Sequence, residues 1–118
     1  MSEQEIRAQK FTLVDEKGVA RAVLTTVEGL ASLALSDGEG KIRAVLSVTA
    51  GGDPSLALYD CSGKQRALLD VGTATDGATA LGLYDQQERG RLLVNLKPNG
   101  TPLVALFDDH GNEIAKMP

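Results

Sequence analysis

The chain repeats one pattern five times along its 118 residues. Apolar residues alternate up to an aspartate, and in most copies a glycine follows three residues later and an arginine six residues later. The first three copies read Phe11-x-Leu13-x-Asp15-x-x-Gly18-x-x-Arg21-Ala22-x-Leu24, Leu33-x-Leu35-x-Asp37-x-x-Gly40-x-x-Arg43-Ala44-x-Leu46 and Leu56-x-Leu58-x-Asp60-x-x-Gly63-x-x-Arg66-Ala67-x-Leu69. The fourth has Leu81, Leu83, Asp85, Arg91, Leu92 and Val94, and the fifth has Val104, Leu106, Asp108, Gly111, Ala115 and Met117. A fixed period indicates a repeat architecture.

Each copy predicts two β-strands joined by a tight turn. Before the aspartate and after the turn, apolar residues recur at every second position, which is the period of a strand. In the third copy, Asp60 and Gly63 occupy the first and fourth positions of a type I turn. The fourth copy has Glu88 where the glycine is expected and Gly90 two residues later, so the sequence predicts a wider turn there.

The joints between copies are too short for crossover helices, so successive strands should be antiparallel. We therefore predict an all-β, ten-strand antiparallel meander of five hairpin repeats of about 23 residues. Residues 1–10 form a polar segment with a possible short helix capped by Ser2 and Glu5. Residues 11–118 form one domain, with repeats at about 11–30, 31–53, 54–78, 79–101 and 102–118. The joint at 72–77 is longer than its predecessor, as expected of a surface loop.

Two hairpin registers are compatible with the pattern. A loop closed by Asp60 with a glycine bulge is favoured by turn chemistry, and it places Leu58 opposite Arg66 and Ala57 opposite Ala67. A tight two-residue loop instead collects Leu56, Leu58, Ala67, Leu69 and Val71 on one face and leaves Arg66 beside Ala57, Tyr59 and Leu68.

In both registers apolar residues remain on a second face, which one small sheet cannot cover. The sequence predicts either a sheet that closes on itself or a homo-oligomer. A trimer is the expected oligomer, with Val45, Leu68 and Leu93 helping to bury the second face.

Composition excludes several classes of function. The net charge of −4 argues against nucleic acid as a partner, because phosphate binding requires clustered Lys and Arg. No apolar run approaches a membrane span, and the first residues lack the basic and apolar regions of a signal peptide, so a cytoplasmic location is the default expectation. Cys61 is the single cysteine, so no disulfide can form within the chain.

No catalytic residue, cofactor site or metal site is predicted, and the chain is not expected to be an enzyme. His110 could bind a metal together with Asp108 or Asp109, but a turn explains these residues and no further histidine or thiolate completes a ligand set. Cys61 occupies a turn position and lacks a neighbouring histidine base, so it is expected to be an exposed thiol without a catalytic role.

Two sets of repeated side chains are candidates for a ligand site or a subunit interface. The first is the arginine row, and the second is the set of rings directly before the turn aspartate. An arginine row could bind a repeating anion such as an acidic polysaccharide, or each arginine could pair with a turn aspartate or a neighbouring chain. The rings could stack on sugars in a lectin-like module, or pack across strands. The residues are Arg21, Arg43, Arg66, Arg91, Tyr59, Tyr84 and Phe107.

The repeated pattern Leu-x-Leu-x-Asp-x-x-Gly-x-x-Arg-Ala-x-Leu resembles tandem hairpin repeats of uncharacterised bacterial proteins, over about residues 11–117. The resemblance implies a β-repeat architecture, and it brings no catalytic residues with it. The expected function is a structural or scaffold module that self-associates, and the alternative is a carbohydrate-binding module.

Overall fold

A computed structural model describes residues 3–72 and 77–118, and it confirms an all-β antiparallel meander. Its ten strands form five hairpins in chain order. The strands are β1 (Lys10–Val14), β2 (Ala20–Val27), β3 (Leu30–Ser36), β4 (Ile42–Val48), β5 (Pro54–Tyr59), β6 (Gln65–Gly72), β7 (Ala78–Tyr84), β8 (Gly90–Leu96), β9 (Pro102–Phe107) and β10 (Glu113–Met117).

The ten strands form one open sheet. Each strand pairs with its sequence neighbours, and β1 and β10 are the two edges, so the sheet does not close within the chain. Residues 3–9 contain no helix, so the possible N-terminal helix is wrong over the described part of that segment, and Ser2 lies outside it. The longer joint falls largely on residues 73–76, which also lie outside the described residues. Within residues 3–72 and 77–118, no helical segment has the length and hydropathy to cross a membrane.

The aspartate turns share one geometry. In the third hairpin, the Gly63 N–H donates to the Asp60 carbonyl at 3.0 Å and the Asp60 N–H donates to the Lys64 carbonyl at 2.9 Å. Gly63 has a φ of 87°, a left-handed conformation that a side chain disfavours. The fourth turn has the same size, because Glu88 itself takes a φ of 62° and donates to Asp85 as glycine does elsewhere. The prediction of a wider turn was therefore wrong.

The favoured register is correct only as far as the first pair beyond the turn. Tyr59 pairs with Gln65, but Leu58 then pairs with Ala67, and Arg66 is the extra residue of a β-bulge. A bulge moves the strand by one residue and exchanges its faces. The face composition that results is the one expected from the tight-loop register. Corresponding bulges lie at Arg21, Arg43, Arg91 and Ile114.

This register gives the sheet an apolar face made of three rows across the strands. The turn row, nearest the aspartate turns, is Leu13, Ala22, Leu35, Ala44, Leu58, Ala67, Leu83, Leu92, Leu106 and Ala115. The central row is Phe11, Leu24, Leu33, Leu46, Leu56, Leu69, Leu81, Val94, Val104 and Met117. The joint row, nearest the joints between repeats, is Thr26, Ala31, Val48, Pro54, Val71, Thr79, Leu96 and Pro102.

The opposite face, which we call the ladder face, carries the arginines. Its middle row is Thr12, Val23, Ala34, Val45, Ala57, Leu68, Gly82, Leu93, Ala105 and Lys116. Val45, Leu68 and Leu93, which we expected to bury a second face between subunits, lie here and are half-buried.

A single layer of sheet provides almost no core. Among the described residues, only Ala57, Ala78 and Ala105 are buried, at 7%, 2% and 3% exposure. The molecule extends over 54 × 37 × 26 Å, and its radius of gyration of 17.7 Å exceeds the roughly 13–14 Å of a compact domain of this length. Stable domains bury the apolar side of a sheet against a second layer, which this chain does not supply from its described residues.

Candidate functional site

The bulge determines where each arginine side chain points. Arg66 is the unpaired residue between Gln65 and Ala67, and it shares the ladder face with Tyr59. The bulge therefore places the guanidinium over the turn of its own hairpin and beside the next hairpin. The same placement recurs at Arg21, Arg43 and Arg91.

Each of these arginines reaches across to the following hairpin. The Nε group donates to the carbonyl of the residue just before the next turn aspartate. The bonds run from Arg21 to Ser36 at 3.0 Å, Arg43 to Tyr59 at 2.8 Å, Arg66 to Tyr84 at 2.7 Å and Arg91 to Phe107 at 2.7 Å. Each arginine thus connects two successive repeats.

The same guanidinium also lies beside the turn aspartate of its own hairpin. The Nη1 to Oδ2 distances are 3.6 Å for Arg21 and Asp15, 3.8 Å for Arg43 and Asp37, 3.6 Å for Arg66 and Asp60, and 3.5 Å for Arg91 and Asp85. The arginine side chains are 41–44% exposed, so each ion pair alone contributes little. We call this set of four pairs the arginine–aspartate ladder.

Hydrogen bonding keeps the turn aspartates ionised. In Asp60, Oδ1 accepts from the Ser62 hydroxyl at 2.7 Å and from the Ser62 and Lys64 N–H groups at 2.9 and 3.1 Å. These bonds, that of the hydroxyl foremost, lower the pKa of Asp60 from 3.8 to about 2. Partial desolvation alone would raise the pKa of Asp85, but bonds from Arg89 and Gln87 offset it and lower the pKa to about 2. The pKa values of Asp15, Asp37 and Asp108 are lowered chiefly by a backbone N–H four residues on.

Each aromatic candidate lies two residues after a small residue of its own strand. The ring of Tyr84 lies over Gly82, where an added Cβ would come within 2.9 Å of the tyrosine hydroxyl. Ala57 and Ala105 hold the corresponding positions before Tyr59 and Phe107, and both are buried. The three rings are half-buried, and their backbone carbonyls accept the arginine bonds. The structure therefore brings the sequence-derived candidates together on the ladder face.

The two candidates for other chemistry lie at exposed turns. His110 is exposed, and its Nε2 is 3.6 Å from an oxygen of Asp109. Among residues 3–72 and 77–118, no three potential metal ligands cluster. Cys61 is an exposed free thiol in the third turn.

The ladder involves the bulged residues of the first four hairpins. In the fifth hairpin the bulged residue is Ile114 rather than arginine. The edge strands also carry Lys10 and Lys116, and edge lysines oppose strand-to-strand association.

The apolar face was not among the candidate sites predicted from the sequence. Its three rows contain no charged side chain, and most of its large residues are about 40–65% exposed, including Leu24, Leu46 and Leu69. Shallow apolar grooves run across it near Leu46, Pro54 and Leu69. The tight-loop register had already assembled part of this face from sequence.

Comparison with family models and with curated proteins found no match.

Proposed function

We propose that the chain is a structural β-repeat module that functions by self-association through its apolar face. The observation that carries the proposal is the continuous, charge-free, half-exposed surface formed by the three rows. Monomeric proteins seldom expose contiguous apolar patches beyond a few hundred Å². The ladder face contributes to this role by stiffening the sheet, since each arginine ties two repeats together.

The apolar face is large enough for a stable assembly. Ten strands about 4.8 Å apart and about 24 Å long cover about 1,000 Å² in projection, whereas a standard interface needs about 800 Å² from each partner. Identical copies are the favoured occupant. A face without charges causes no repulsion between two copies of itself, and most soluble oligomers are homo-oligomers.

Light scattering during gel filtration tests the proposal. We expect a mass above the 12.4 kDa of one chain at micromolar concentration. The double variant Leu46→Glu, Leu69→Glu should reduce the mass, because charges would have to be buried in the interface. Thr12→Glu on the ladder face is the matched control and should leave the mass unchanged. A wild-type mass of one chain at these concentrations would refute self-association.

Carbohydrate binding is a second candidate function, supported by one groove on the ladder face. Tyr59, Ile42 and Val45 line this open groove between the turns of the second and third hairpins, together with Cys61. The arginines support this role less, since each already contacts a carbonyl and a carboxylate. A glycan array with wild type and Tyr59→Ala tests it, and binding that persists in the variant would argue against this groove.

A further inference from the structure

Resting on the proposed self-association, we propose that the assembly is a parallel homotrimer. The three-fold axis runs along the direction in which the strands are stacked, and the apolar faces of three copies line the axis. The same strand of each chain then lies at the same height along the axis. Each residue of the central row therefore meets the same residue of the other two chains.

The dimensions of the sheet suit a triangular prism. Strands of about seven residues are about 24 Å long. Three faces of that width enclose an axis about 7 Å from the middle of each face, by plane geometry on the strand rise. The turn row and the joint row lie two residues away from the middle of the strand. There, the distance from each face to the plane midway between it and the neighbouring face is only about 3 Å.

The central row and the two outer rows of the apolar face differ in the residues they hold. The central row holds large apolar residues in all ten strands: leucine in six, together with Phe11, Val94, Val104 and Met117. Alanine, threonine and proline occur only in the two outer rows of this face. Every central position therefore holds a large residue, whereas the two outer rows mix large and small residues.

The outer rows are also complementary to one another, strand by strand. In a same-height trimer, the turn row of one chain meets the joint row of the next chain on the equivalent strand. Strands with leucine in the turn row carry a smaller residue in the joint row, and strands with alanine carry valine or threonine. The pairs are Leu35 with Ala31, Leu58 with Pro54, Leu83 with Thr79, Leu106 with Pro102, Ala44 with Val48, Ala67 with Val71 and Ala22 with Thr26. The exception is β8, which has Leu92 and Leu96.

Two stacked sheets account for these sizes less well. Face-to-face sheets are separated by a nearly uniform gap of about 10 Å. A pair of central leucines would then require more room than a leucine paired with alanine or proline at the margin. Three sheets around an axis provide a gap that narrows from the middle to the margin, and they leave the arginine–aspartate ladder on the outside.

Paired cysteines at one height test the arrangement. In a Cys61→Ser chain, Ala67→Cys and Val71→Cys lie four residues apart on one strand, too far for a disulfide within the chain. Between neighbouring chains the two margins approach to about 6 Å, which suits a disulfide. We expect mild oxidation to give a covalent trimer on a non-reducing gel. Ala44→Cys with Val48→Cys should behave alike, whereas the mismatched pair Ala44→Cys with Val71→Cys should not cross-link.

The outcomes separate this inference from the proposed function. A native mass of three chains with a covalent trimer supports both proposals. A native mass of two chains, or cross-linking that stops at a covalent dimer, overturns the trimer while self-association stands. A native mass of one chain overturns both. Equal cross-linking by the matched and mismatched pairs would overturn the same-height packing whatever the mass.

Discussion

At the scale of single residues, the third turn depends on the backbone freedom of Gly63. Its φ of 87° is strongly disfavoured for a β-branched residue. We expect Gly63→Val to lower stability by about 1–3 kcal/mol, whereas Cys61→Ser at the exposed turn should be nearly silent. Thermal melts at equal protein concentration measure both effects. Equal melting temperatures would show that the turn lacks the left-handed residue.

In the fourth turn, introducing a glycine should stabilise the protein. Glu88 holds a φ of 62° without the freedom of glycine. Glu88→Gly should therefore stabilise the protein by about 1 kcal/mol, the cost of a left-handed non-glycine residue. Glu16→Gly in the first turn is the control, because Glu16 is an exposed turn residue without a positive φ. Denaturant unfolding that shows no gain for Glu88→Gly would contradict the assigned strain.

At the scale of elements, the ladder joins one hairpin to the next. Arg66→Met should lose about 1 kcal/mol, because the charged bond to the Tyr84 carbonyl disappears while the apolar stem remains. Arg66→Lys should recover little, since an ammonium cannot donate to the carbonyl and the carboxylate with the geometry of a guanidinium. Urea unfolding compares the three proteins. If lysine fully restores stability, charge alone accounts for the contribution.

The turn aspartates predict a loss of stability in acid. A carboxyl with a folded pKa of about 2, against an ordinary value of 3.8, stays ionised in the folded state while the unfolded chain takes up its proton. The stabilisation is therefore nearly complete above about pH 5 and is lost as the pH falls towards 2. Asp60→Asn should weaken this dependence while retaining an oxygen that accepts the turn bonds. Denaturant unfolding at pH 6 and pH 2.5 provides the comparison, and equal stability at both would contradict it.

The sequence predicted the hairpins and the turn residues well, because both are local. Alternation identified every strand, and the aspartate and glycine positions located the turns. Turn chemistry did not reveal the bulge at Arg66, because a bulge leaves the loop unchanged and moves only the residues beyond it. The apolar pattern held that information, since only the shifted register gathers Leu58, Ala67 and Leu69 on one face. The arginine bonds to the next hairpin depend on this bulge and were therefore not predicted as such.

At the scale of the whole molecule, folding and association should be inseparable. A sheet with three buried alanines among its described residues has little core of its own, so we expect partner copies to supply the second layer. We expect the melting temperature to rise with protein concentration, because association stabilises the folded state by mass action. Scanning calorimetry at protein concentrations from about 1 to 100 μM measures this dependence. A constant melting temperature, with a mass of one chain, would show that the open sheet is stable alone.

The order of the strands in the sheet is also the order of their synthesis. Every strand pairs only with strands that immediately precede or follow it along the chain, so no pairing waits for a distant segment. Short-range pairing of this kind carries a low cost of loop closure and favours rapid folding. Each new strand can therefore pair with the preceding strand as soon as it has left the ribosome. The fifth hairpin continues the same short-range pairing, although Ile114 stands at its bulge in place of arginine.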